Sequence, residues 1–193
     1  MQNTGRVRIA LQFMLPVILM LATSVARADA FDLAQLMQLL AATPTAEVSF
    51  IEKKYSSLLS EPVVSSGKLR YRRPDIVEKN IELPRKEQYC FVGDELLLVR
   101  IGAEKRIRLS SQPLLLAFAA SLRGVLGGDL ALLRAHYQLS LTGDQSSWRL
   151  DLTPVDEGIG RYVQRIVVSG HDGRIEQIEV REISGDRSVL QVQ

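Results

Sequence analysis

The sequence is short of the residues from which reactive sites are usually built. It holds one cysteine, two histidines and one tryptophan among 193 residues. A lone Cys90 cannot close an internal disulfide. Within "YCFV" it reads as a buried, inert strand thiol, with no base or helix terminus beside it to favour a thiolate. There is no HExxH, no CxxC and no acidic calcium loop, so no metal site is expected. No glycine cluster follows a strand and opens a helix, which removes the common phosphate cradle. His136 and His171 are the only imidazoles that could serve as a general base. The first sits where a helical segment gives way to a strand, and the second in the turn "SGHDGR". Neither neighbours a Ser or Cys motif, so both read as solvated loop residues. Asp156-Glu157 and Asp144/Asp151 read as turn and surface acids. Nothing assembles a nucleophile, a base and an orienting group. The chain reads as a non-enzyme with no cofactor.

An excess of charge of one sign is missing too. The formal charge is +2, with 24 Lys+Arg against 22 Asp+Glu. Arg6, Arg8 and Arg27 fall within the first 28 residues, which carry no acid. Without that segment Lys+Arg drops to 21 and +2 becomes −1. A nucleic-acid partner loses its only global support.

The sole long apolar run, "IALQFMLPVILMLATSV", follows that basic start and is too short and poorly flanked for a membrane anchor. It leads to "ARA" at 26–28, small residues where a signal peptidase reads. Residues 1–28 are expected to be a secretory signal peptide, and residues 29–193 a single domain in the periplasm. No cysteine follows the cleavage site, so no lipid is expected at Asp29.

What is present has two rhythms. "DAFDLAQLMQLLAA" spaces Phe31, Leu33, Leu36, Met37, Leu39 and Leu40 at the helical period, and Thr43-Pro44 ends it. Six short runs of period two follow up to "EKRIRLS", separated by Pro62, Pro74, Pro84, Gly93-Asp94 and Gly102, which predicts an antiparallel meander. A helical interlude starts at Pro113, breaks at Gly127-Gly128 and restarts with Asp129 as a cap. Five more strands close the chain, with Tyr137, Leu139 and Leu141 or Trp148, Leu150 and Leu152 alternating with polar residues.

Eleven or so strands offer more apolar face than the few helices can cover. Two sheets could pack as a sandwich, or one curved sheet could wrap the helices. Helix 113–126 is apolar around most of its circumference, with Leu114, Leu115, Phe118 and Leu122 among its members, and this favours the curved sheet. The fold expected is mainly β with a helical lid (α+β): an incomplete, strongly curved antiparallel β-barrel enclosing a hydrophobic cavity. Gly124 and Gly127-Gly128 would act as hinges of that lid. Cavity and lid residues would be Leu69, Tyr71, Arg73, Val77, Leu114, Leu115, Phe118, Leu122, Leu139, Trp148 and Leu150. In "GKLRYRRPD", strand alternation puts Arg73 on the face of Leu69 and Tyr71, directed toward the hollow.

Four stretches carry a resemblance: "VSFIEKKY", "SSGKLRYRRPDIVEK", "FVGDELLLV" and "SGHDGRIEQIEVREISGDRSVLQV". Together they resemble the LolA-like outer-membrane lipoprotein carriers of the periplasm, over nearly the whole chain after residue 28. The resemblance implies a monomeric carrier that takes acyl chains of a lipoprotein or lipid from an inner-membrane transporter to an outer-membrane acceptor. It also implies that Arg73, the arginine before proline, tethers the lid through its backbone carbonyls. The alternative reading of Arg73 is a rim residue reaching solvent. The chain departs from the family in its leucine-rich lid, in the aliphatic Ile76 and Val77 after Pro74, and in stopping at Gln193 without an extra tail. These departures point to a short, accessory-type member whose cargo could be a glycolipid or a polyene-type lipid. A lipid-sensing or regulatory domain on the same scaffold is the other function open at this point.

Overall fold

The computed structural model describes residues 31–42 and 45–193. The signal peptide expected over residues 1–28 lies outside the described residues, as do Thr43 and Pro44.

Helix α1 (Leu33–Ala41) starts at Asp32, whose carboxylate accepts from the Gln35 backbone N–H at 2.8 Å while the Gln35 side chain accepts from the Asp32 N–H at 3.1 Å. This reciprocal cap satisfies two amides that the first turn leaves unpaired. Its inner face buries Leu36, Met37 and Leu40. Six strands follow: β1 (Thr45–Tyr55), β2 (Val63–Arg72), β3 (Ile76–Leu83), β4 (Glu87–Val92), β5 (Glu95–Arg100) and β6 (Ala103–Arg108). Helices α2 (Pro113–Gly127) and α3 (Leu130–His136) come next, then β7 (Tyr137–Asp144), β8 (Ser147–Pro154) and the one-turn helix α4 (Glu157–Gly160). Strands β9 (Val163–His171), β10 (Arg174–Glu182) and β11 (Arg187–Val192) end the described chain.

All eleven strands form one antiparallel sheet in the order β6-β5-β4-β3-β2-β1-β11-β10-β9-β8-β7. The first and last strands of the chain pair in its middle, from Phe50 opposite Val192 to Tyr55 opposite Arg187. A single sheet excludes the sandwich. It curves without closing, and β6 and β7 remain as edges. Charged side chains occupy the outer face, where Glu47 takes Lys68 and Arg70, and Glu78 takes Arg70 and Arg72.

The concave face holds the core, including Phe50, Phe91, Tyr137, Trp148 and Leu150, each at most 2% exposed. Helix α2 lies within this concavity, and none of its fifteen residues is exposed. The all-round apolar sequence is thereby explained: the sheet covers α2 on one side and other helices cover it on the other. Helices α1, α3 and α4 pack on it, so it fills the half-barrel. The expected hinge glycines are close-packing positions. A Cβ on Gly124 would lie 2.5 Å from a methyl of Leu133. Gly128 sits at φ +65°, and its Cβ would meet the Met37 carbonyl oxygen at 2.3 Å, so a side chain there is refused twice.

Candidate functional site

Two clefts of the concave face adjoin α2. The first, of about 270 Å³, lies beside the N-terminal half of α2. Its apolar wall is built by Leu114, Leu115 and Phe118 of α2 with Phe91, Ile166 and Val180 of the sheet. The second, of about 570 Å³, lies between α1 and the sheet, against Leu40, Leu69, Tyr71, Leu126, Ile178 and Val192.

The sequence-predicted positions divide between these places. Leu114, Leu115 and Phe118 line the first cleft, and Leu69 and Tyr71 the second. Val77, Leu122, Trp148 and Leu150 are at most 2% exposed core residues and line neither. Leu139 is half-buried against the core. Period-two alternation finds the inner face correctly, but it does not tell which inner positions the filler helix covers.

Arg73, the first residue after β2, is exposed and lines neither cleft. Its guanidinium donates to the carbonyl oxygen of Ala41, at the end of α1, and to that of Gly127, at the end of α2, the latter at 3.4 Å. One planar head thus serves two helix C-termini, whose last carbonyls have no intrahelical donor. Another arginine, Arg123, unnoticed in the sequence, ties α2 to the turn between β4 and β5. It lies half-buried on α2 and donates to the Gly93 carbonyl oxygen at 2.7 Å. Burial pulls its pKa below the ordinary arginine value, opposed by Asp75 and Asp94.

The first cleft also carries charge that the sequence reading passed over. Lys79 points inward from β3, only 7% exposed, and its Nζ lies 2.7 Å from Oε2 of Glu52 on β1. The ammonium sits 5.2 Å from the ring centroid of Phe50 and 5.6 Å from that of Phe118. Farther out, Lys54 and Glu182 approach to 3.8 Å. Tyr89, also lining this cleft, has its hydroxyl pKa pushed up to about 12 by burial and by its bond to Glu87. The signal was in the alternation: Glu52 and Lys54 share the face of Phe50, and Lys79 that of Val77 and Ile81.

The histidines and acids find structural places. His171 is half-buried at the end of β9, lines the second cleft and lies 3.0 Å from Glu176. His136 is half-buried, not solvated, with Nδ1 4.0 Å from Asp156. Asp156 caps α4, a helix the sequence reading missed. Asp144 accepts from Ser146 and Ser147 in its turn, and Asp151 holds Arg149 and Arg165. Cys90 is half-buried, and burial raises its thiol pKa. Among the described residues no group of His, Cys, Asp or Glu is arranged to hold a metal ion.

No curated protein matches the sequence. Among solved structures, a LolA superfamily protein from Nitrosomonas europaea is 14% identical, with a TM-score of 0.42 over 83% of this chain and 91% of that one. The MucA/MucB complex of Pseudomonas aeruginosa aligns at 15% identity and a TM-score of 0.47, over 83% of this chain and 55% of the other. The lipoprotein LppX of Mycobacterium tuberculosis aligns at 9% identity and a TM-score of 0.41, over 83% and 93%. The family model described as "Outer membrane lipoprotein carrier protein LolA-like" matches residues 25–191, and the chain belongs to that family.

Proposed function

We propose that this protein is a periplasmic carrier that holds acyl chains of a lipoprotein or lipid beside α2 and shuttles them between an inner-membrane donor and an outer-membrane acceptor. The observation that carries this reading is the placement of apolar surface. The first cleft offers a half-buried apolar wall from Leu114, Leu115 and Phe118. Each acyl CH₂ laid against such a wall is stabilised by roughly 0.8 kcal/mol relative to water.

The exposed large hydrophobic residues supply the second support. Strand directions put the β1–β2, β3–β4, β5–β6, β8–β9 and β10–β11 connections at one end of the sheet. Leu58, Leu59, Leu83, Ile101, Val155, Tyr162 and Ile183 sit on those connections or at the strand ends entering them, each at least 50% exposed. The outermost residues of the first cleft, Lys54, Glu182 and Ser188, adjoin the same turns. Ile101 adds a backbone sign: a β-branched residue at φ +48° is uncommon, and here its side chain is 81% exposed. An apolar rim next to an apolar cleft suits hand-over of a lipid, because cargo leaving the cleft meets surface that an acceptor also covers.

The test is native mass spectrometry of protein purified from its own periplasm. A co-purifying lipid or acylated protein is the expected result. Protein that emerges empty, and that binds no acyl probe in titration, would overturn the carrier reading.

A further inference from the structure

Hydrocarbon alone does not need the pair formed by Lys79 and Glu52. Taking two charges out of water costs free energy that their attraction returns only in good geometry, and apolar residues of similar volume often do as well. Yet both side chains are directed into the concave face from strands separated by β2. They meet because Gly67 of β2 lies opposite Phe50 of β1 and opposite Ile81 of β3, leaving no side chain between the two. A Cβ on Gly67 would meet the Asn80 carbonyl oxygen of β3 at 1.9 Å, so this position takes no side chain.

The pair is also unsaturated. An ammonium has three donors, and the only hydrogen-bond partner of Lys79 among the described residues is Glu52. The rings of Phe50 and Phe118 attract its charge but accept no strong hydrogen bond. Glu52 accepts from Lys79 and, at 3.4 Å, from the Ser65 hydroxyl, both through Oε2, which leaves Oε1 without a partner among the described residues. A donor and an acceptor therefore face the cleft side by side, next to the apolar wall that begins at Phe118. The charges nearby balance, Lys79 and Lys54 against Glu52 and Glu182, so an added net charge of either sign is attracted by one member of each pair and repelled by the other, and gains no net attraction to offset its desolvation.

We propose that the first cleft recognises a neutral carbonyl head on an acyl chain, an amide or a hydroxyl-bearing ester. Its C=O accepts from Lys79, and its N–H or O–H donates to Glu52. The chain then runs along Phe118, Leu115 and Leu114. This inference rests on the carrier reading and narrows its cargo: amide- or glycerol-linked acyl chains are taken, while free fatty acids and alkyl cations are discriminated against. An acylated protein and a neutral acyl lipid share this head chemistry.

Displacement of a fluorescent acyl probe tests it with four twelve-carbon competitors: N-lauroylethanolamine, monolaurin, laurate and dodecyltrimethylammonium. The folded full-length mature protein should bind the two neutral heads about tenfold more tightly than either charged one, the value of one well-made hydrogen bond. Preference for the amide over monolaurin would favour an N-acylated cargo, and the reverse a glycerolipid. Glu52→Gln leaves Lys79 uncompensated and should turn the preference toward laurate. The double variant Glu52→Leu/Lys79→Met removes both charges, avoids a stranded ion, and should bind all four within about threefold of one another. Wild-type protein that prefers laurate, or a double variant with wild-type selectivity, would overturn the inference while leaving the carrier reading intact. Wild-type protein that binds none of the probes overturns both.

Discussion

Substituting Arg73 by glutamine separates a tether from a cargo contact. The guanidinium donates to the carbonyl oxygens of Ala41 and Gly127, closing the C-terminal ends of α1 and α2 at the turn after β2. A cation at an exposed helix C-terminus contributes about 0.3–1 kcal/mol. Charge-assisted hydrogen bonds range from about 1.5 to 3 kcal/mol, but Arg73 is exposed, so the lower end is discounted further. Two helix ends together give about 1–2 kcal/mol. For a chain of this size each kcal/mol moves Tm by about 2–4 °C, so Arg73→Gln should melt about 2–8 °C lower. If acyl cargo enters by loosening α1 and α2 from the sheet, the same contacts oppose entry. Their loss then raises apparent affinity by no more than the same free energy, a factor of about 5–30. Arg73→Leu should behave like Arg73→Gln, because the side chain lines neither cleft and a leucine there adds nothing to the apolar wall. Thermal unfolding followed by circular dichroism and acyl-probe titration on the same preparations give both numbers. Weaker probe binding with an unchanged Tm would refute the reasoning and make Arg73 a cargo contact.

Gly124→Ala sets two effects against each other. Alanine favours the helix by about 0.5–1 kcal/mol, but its Cβ would press on the buried Leu133 at 2.5 Å, and overpacking costs about 1–3 kcal/mol. Urea denaturation should show a net loss of about 1 kcal/mol, and a gain would mean that Leu133 has room to move. Cys90 has its thiol pKa raised by burial, and since the thiolate is the reactive form, a higher pKa leaves less of it at a given pH. Its alkylation by iodoacetamide at pH 8 should therefore be slower than that of a free thiol, with the rate–pH profile displaced upward; an inflection at or below the free-thiol value of about 8.5 would contradict this. Leu58→Ser/Ile101→Ser should slow acyl transfer to acceptor vesicles of phosphatidylethanolamine and phosphatidylglycerol severalfold while equilibrium probe binding stays the same, and equal transfer rates would remove the apolar rim from the hand-over.

The strands were legible because each is written locally, in the alternation of Leu69 and Tyr71 with Lys68 and Arg70, and in the turns between. The family likeness was legible for the same reason, since its motifs are strand-and-turn patterns. The role of α2 was only half legible. An apolar circumference says that a helix is covered on several sides, but not whether it roofs a hollow or fills it. Filling is decided by Gly124 against Leu133 and Gly128 against Met37, approaches between elements that are brought together only by the fold. The same limit hid the polar centre of the first cleft. Alternation places Glu52 and Lys79 each on the inner face, but they are 27 residues apart. They meet only through the register of three strands, shifted between Ser66 and Gly67, which lets a side-chain-free position fall between them. In this protein Gly67 of "SSGKLRYRR" therefore counts for more than its place in a family motif. A Cβ there would meet the Asn80 carbonyl oxygen of β3 at 1.9 Å, so the register that brings Glu52 and Lys79 together from either side of β2 also requires a glycine between them, and the polar corner of the cleft depends on that register.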